Sequence, residues 1–90
     1  MRGKSMDAKI LIVEDDEISR GAMEKVLQSY NYEAYSCPDG AEAISRLEED
    51  SFDILITDLY MPEMDGLELI RKAEMIQPAL PTILITGFTT

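Results

Sequence analysis

The sequence predicts a doubly wound α/β fold: a parallel four-stranded sheet in the order 2-1-3-4 with helices on both faces. Three observations predict it. Ala8–Glu14, Phe52–Asp58 and Pro81–Thr86 are short, continuous, β-branched-rich runs, the pattern of strands buried on both faces. Glu33–Cys37 instead alternates Glu33, Tyr35 and Cys37 with Ala34 and Ser36, as a half-covered edge strand does. Between these runs lie three stretches whose apolar residues recur at three- and four-residue spacing.

The first helical stretch carries Ile18, Ala22 and Val26 with Met23 and Leu27, the second Ala43, Ile44 and Leu47, and the third Leu67, Ile70 and Ala73; each predicts one buried stripe. Pro38-Asp39-Gly40 is a turn, and Asp39 with Glu42 and Asp65 with Glu68 form capping boxes with aspartate as the cap. Pro78 and Pro81 end the third helix. The element order is therefore β-α-β-α-β-α-β. Because parallel crossovers are right-handed, a step from the first strand to the second and a return across to the third and fourth places helix 1 on one face and helices 2 and 3 on the other.

Ninety residues allow one domain, and an apolar fraction of 46% supports a folded one. Met1–Ser5 is basic and pattern-free and reads as an expression scar or flexible N-terminus, with the domain over 6–90. A net charge of −10 argues against nucleic acid as a direct partner, since lysine and arginine drive binding to phosphate backbones. The longest apolar run, Ile10–Val13, cannot span a bilayer. With no histidine and a lone Cys37, carboxylates are the only candidate metal ligands, so a bound metal is expected to be hard, and a reducing, cytoplasmic location is expected.

In an open α/β sheet, ligands bind beyond the carboxyl ends of the strands where the order reverses, here between the first and third strands. Glu14, Asp15 and Asp16 follow the first, and Asp58 ends the third. Like charges about 4 Å apart repel by roughly 1–4 kcal/mol, so such a cluster calls for a cation or a raised pKa. Magnesium suits carboxylates, a carbonyl and phosphate oxygens. An aspartate beside such an ion can act as a nucleophile toward a phosphoryl group. Thr86 is placed to offer a hydroxyl to a phosphate oxygen, with Gly87 leaving room.

Simpler roles exist for several of these residues. Asp15, Asp16 and Glu17 can each cap the helix that follows, Thr86 can be an ordinary strand-end threonine, and Met61, Met64 and Met75 can be packing residues. Asp58 has no such alternative, because no helix begins beside it.

Four segments in register resemble the response-regulator receiver family of bacterial two-component signalling, over residues 8–88. They are Ile10-Leu11-Ile12-Val13-Glu14-Asp15-Asp16, Pro38-Asp39-Gly40-Ala41-Glu42-Ala43, Phe52-Asp53-Ile54-Leu55-Ile56-Thr57-Asp58 and Met61-Pro62-Glu63-Met64-Asp65-Gly66-Leu67-Glu68. The resemblance implies that Asp58 accepts a phosphoryl group, that Asp15 binds magnesium directly and Glu14 mostly through a water, that Tyr60 lends its backbone carbonyl to the metal, and that the Thr86 hydroxyl moves toward the phosphoryl group. It implies a flavodoxin-like fold of order 2-1-3-4-5, a signalling module and not an enzyme, and a histidine kinase or histidine-containing phosphotransfer protein as donor.

That family continues through a fourth helix, a fifth strand bearing a lysine and an aromatic switch residue, and a fifth helix, whereas this sequence ends at Thr90. A receiver incomplete at its C-terminus is therefore expected. Ile and Leu side chains of the third and fourth strands should be bare on the helix 1 face, inviting a homodimer or a domain swap. Two further readings follow from the missing lysine and from the fold: an interaction module that is not phosphorylated, and a magnesium-dependent phosphohydrolase. Phosphatases of the haloacid-dehalogenase type would need an aspartate where Tyr60 stands.

Overall fold

The computed structural model describes residues 8–86; Met1–Ser5 and Gly87 lie outside the described residues. Seven elements follow in the expected order: β1 (Lys9–Val13), α1 (Glu17–Ser29), β2 (Glu33–Cys37), α2 (Gly40–Glu49), β3 (Ile54–Asp58), α3 (Gly66–Ile76) and β4 (Thr82–Ile85). The four strands form one parallel sheet in the order β2-β1-β3-β4. Strands β1, β3 and β4 are slightly shorter than their apolar runs: Ala8, Glu14, Phe52, Asp53, Pro81 and Thr86 fall outside them, although the N–H groups of Glu14 and Asp53 and the carbonyls of Ala8 and Pro81 still bond across to neighbouring strands.

All three helices start at an aspartate whose carboxylate accepts a backbone N–H three residues on: Asp16 from Ser19, Asp39 from Glu42 and Asp65 from Glu68. Of the three acidic candidates for capping α1, Asp16 is the cap. The other end of α1 closes through Asn31, which adopts a left-handed φ of 69°. Its N–H donates to the Gln28 carbonyl and that of Tyr32 to the Leu27 carbonyl, the paired bonds that satisfy a helix terminus.

Two apolar layers flank the sheet. Toward α2 and α3, Leu11, Val13, Cys37 and Leu55 pack with Ala43, Leu47, Leu69 and Ala73. Toward α1, Ile10, Ile12 and Ala34 meet Met23 and Leu27. This is the predicted division of the helices between faces.

Four packing expectations are corrected. On α1 only Met23 and Leu27 reach the sheet, while Ile18 and Val26 are 83% and 54% exposed. The helix lies over β1 and β2, so Ala22 and Val26 border an open apolar groove with Ile56, Ile83 and Ile85 of β3 and β4. The bare strand residues are thus isoleucines only, since Leu55 and Leu84 point to the opposite layer. On α3 the inward residues are Leu69, Ala73 and Ile76, with Leu67 turned out to solvent. Met61 and Met64 do pack into the α2/α3 layer, but Met75 is exposed.

Candidate functional site

The β1–β3 register sets Val13 opposite Thr57, which brings Glu14 level with Asp58 at the carboxyl edge of the sheet. Carboxylate oxygens of Glu14, Asp15 and Asp58 all lie within 4.8 Å of one another. Glu14 is buried, Asp58 half-buried and Asp15 exposed, so the cluster opens to solvent on one side.

The loop from Glu14 to Asp16 is held by its own polar groups. The Glu14 N–H extends the ladder to the Cys37 carbonyl at 3.1 Å, and the Asp16 N–H donates to Glu14 Oε2 at 2.9 Å. Arg20, which nothing in the sequence singled out, reaches back from the first turn of α1 to the carbonyls of Glu14 and Asp15. On the other strand, Thr57 is fully buried and its hydroxyl donates to the Asp58 carbonyl at 2.9 Å. Beyond Asp58 the chain turns through Leu59–Asp65, with Glu63 at a left-handed φ of 67° and the Gly66 N–H bonded to the Leu59 carbonyl at 2.9 Å.

Thr86 is exposed and follows Ile85, the residue opposite Asp58, so it stands at the same edge of the sheet as the three carboxylates. Tyr60, two residues beyond Asp58, is 71% exposed. The structure thus brings Glu14, Asp15 and Asp58 into one cluster, with Thr86 at the same edge of the sheet.

Burial is the main cause of a raised Glu14 pKa; the N–H of Asp16 opposes it, and the charges of Asp58 and Asp15 add to it. A carboxyl whose pKa is higher folded than unfolded contributes stability that is complete below the unfolded value and lost as pH rises through the folded one. Glu14→Gln, which keeps an acceptor for the Asp16 N–H, is therefore expected to gain stability over the wild type as pH rises above the ordinary carboxylate range. Urea melts of both proteins from pH 4 to 8 in chelator check this; a stability difference that does not change with pH would contradict it.

The donor set fits a hard divalent ion. Magnesium–oxygen bonds of about 2.0–2.1 Å put oxygens on one octahedral ion roughly 3–4 Å apart, so oxygens within 4.8 Å need little movement or one bridging water. The lone thiol is unsuited, because burial pushes Cys37 up to about 12.

The sequence profile of the response regulator receiver domain matches residues 10–90. The chain belongs to that family. It is 45% identical over 80 residues to the response regulator receiver protein CpdR of Brucella abortus, covering 89% of this chain and 67% of that one. The chemotaxis protein CheY4 of Vibrio cholerae superposes with a TM-score of 0.87 at 31% identity, over 93% of this chain and 72% of that one. A chain from the complex of histidine kinase ThkA with response regulator protein TrrA matches with a TM-score of 0.83 at 28% identity, over 92% of this chain and 72% of that one. The chain spans about a fifth of the length of the transcriptional regulatory proteins that it also matches. These likenesses agree with the flavodoxin-like sheet order and support a phosphoacceptor receiver function. Among the described residues, no helix is long and apolar enough to cross a membrane.

Proposed function

We propose that residues 6–90 form the phosphoacceptor module of a two-component phosphorelay, in which Asp58 is phosphorylated by a histidine kinase or histidine phosphotransfer protein in a reaction that requires magnesium. The observation that carries this reading is the convergence of Glu14, Asp15 and Asp58 at the strand ends where the sheet order reverses. A carboxylate oxygen of Asp58 attacks the phosphorus of a phosphohistidine, the P–N bond breaks, the imidazole leaves with the electron pair, and an acyl phosphate remains on Asp58. Asp15, Asp58 and the Tyr60 carbonyl would hold the magnesium, with Glu14 acting through a water; the ion's chemistry is to neutralise charge on the transferred group. Thr86 donates its hydroxyl to a phosphoryl oxygen. The phosphoryl group stays on the protein as a signal, and we assign no turnover of a released substrate. The donors named act in the cytoplasm, where we place the module, with no direct contact to nucleic acid or membrane.

Incubation with acetyl phosphate and magnesium followed by intact-mass measurement tests the reading. One added phosphate, absent in chelator, is expected. No adduct on a folded, magnesium-binding protein would leave a receiver-fold interaction module in its place.

We further propose that a second copy of the chain pairs with the open edge of β4, beside the bare isoleucines of the α1 face. The outer edge of β4 has no strand beside it among the described residues, and Ile83 and Ile85 of that same strand are the uncovered side chains. Antiparallel pairing of two β4 edges about a two-fold axis is self-complementary, so the contact closes. Sedimentation equilibrium is expected to show a dimer that Ile83→Asp shifts toward monomer. A wild type that stays monomeric up to 0.1 mM, on the order of a weak transient contact, would contradict it.

A further inference from the structure

We propose that Arg20 is a positioning residue for the acidic pocket: its guanidinium ties down the backbone carbonyls of Glu14 and Asp15 and so keeps their carboxylates in register with Asp58. Arg20 Nη1 donates to the Glu14 carbonyl at 3.0 Å and to the Asp15 carbonyl at 3.4 Å. Among the described residues no backbone N–H donates to either carbonyl, because β1 has ended and the bonds of α1 begin with the Arg20 N–H on the Asp16 carbonyl. One side chain therefore supplies the polar partners that neither sheet nor helix provides. The guanidinium cannot lose its charge and presents its donors in a fixed geometry, which suits it to bracing two adjacent carbonyls.

The position itself argues for this role. Arg20 is the fourth residue of α1, in the turn where the helix dipole disfavours a cation and where Asp16 and Glu17 supply the preferred acidic charge. A residue placed there only to stabilise the helix would not be basic.

The metal half of this inference rests on the pocket being the magnesium site, so two independent readouts are needed. In the metal-free 90-residue chain, Arg20→Met is expected to speed hydrogen exchange at the Asp16 amide, which is bonded to Glu14 Oε2. In magnesium titrations followed by calorimetry, the same variant is expected to bind about tenfold more weakly, the size of effect seen when a ligand loses its supporting partner. Its melting temperature should move little, since the dipole gain offsets part of the lost bonds. Arg20→Lys keeps the charge but not the reach and planar N–H geometry of Nη1 and should fall between the two in both readouts. Unchanged Asp16 exchange in Arg20→Met overturns the proposal, as does complete rescue by Arg20→Lys, which would reduce the role to charge. If Arg20→Met does not fold, Arg20→Lys carries the test, and wild-type exchange and affinity in that variant overturn the proposal. A wild type that binds no magnesium removes the pocket's metal reading alone, and the exchange measurement still decides Arg20.

Discussion

Asp58→Asn is expected to abolish phosphoryl incorporation and, in the absence of metal, to make the protein more stable. The first effect follows from chemistry: an amide oxygen is a far poorer nucleophile than a carboxylate and cannot form the acyl phosphate. The second follows from the cluster. Asp58 sits half-buried with its oxygens within 4.8 Å of those of Glu14 and Asp15, and its charge is one of the causes that raise Glu14. Removing one of three like charges relieves about 1 kcal/mol of repulsion at a solvent-exposed dielectric, which for a domain of this size corresponds to roughly 4–8 °C. Magnesium should reverse the order, raising the melting temperature of the wild type more than that of the variant, because the ion stabilises whichever chain binds it better. Calorimetry in chelator and in magnesium, beside intact-mass measurement with acetyl phosphate, gives both numbers. A variant that still acquires one phosphate would move the acceptor elsewhere, and one that melts below the wild type in chelator would show that the cluster is not under electrostatic stress. A site that costs stability when empty and gains it when filled is the usual balance struck at functional positions.

What could be read from the sequence divides along physical lines. Unbroken β-branched runs mark β1, β3 and β4 as strands but overstate the burial of β4, an edge strand whose Ile83 is 51% exposed, and Asp39–Glu42 and Asp65–Glu68 mark helix starts because the cap is a local hydrogen bond that needs no tertiary partner. The cluster of Glu14, Asp15 and Asp58 was legible because right-handed crossovers fix which strand ends become neighbours. Periodicity did less well with α1. It shows which residues share a stripe but not whether anything lies against that stripe, so Ile18 and Val26 read as core and stand in solvent. On α3 the hydropathy pattern holds two overlapping stripes, Leu67–Ile70–Ala73 and Leu69–Ala73–Ile76, and the close approach of Gly66 to the end of β3 selects the second. Arg20 escaped notice for a similar reason: its partners are carbonyls, and a side chain that bonds only backbone leaves no residue-type signature.

Gly66→Ala is expected to be the most destabilising single-methyl change near the site, and to damage the pocket along with the fold. The reason is space, not backbone conformation. A methyl at Gly66 would run into the Asp58 backbone carbonyl, and would lie 2.9 Å from Leu84 Cδ1 and 3.0 Å from Leu59 Cα. Two of these three neighbours are backbone of the segment that carries the phosphoacceptor, and it cannot move without breaking the Gly66 N–H bond to the Leu59 carbonyl or the β3–β4 pairing of Asp58 with Ile85. Overpacking of this kind costs about 1–3 kcal/mol, a large share of the roughly 5–13 kcal/mol that a domain of this length has in total. Gly40→Ala is the natural control. It also opens a helix against a close neighbour, but the nearest atom there, Met64 Sδ at 2.5 Å, is the flexible end of a side chain that can swing aside, and Met64 Cγ and Cβ at 3.2 Å need give only a few tenths of an ångström while alanine improves the helix. Chemical denaturation is expected to place Gly40→Ala within about 1 kcal/mol of the wild type and Gly66→Ala well below it. Magnesium affinity should fall in Gly66→Ala even under conditions where that variant is fully folded, because relief of the clash must displace Asp58, α3 or both. Equal stabilities for the two variants would mean that α3 can lift off β3 freely, and that the contact between Gly66 and the Asp58 carbonyl does not hold the phosphoacceptor in place.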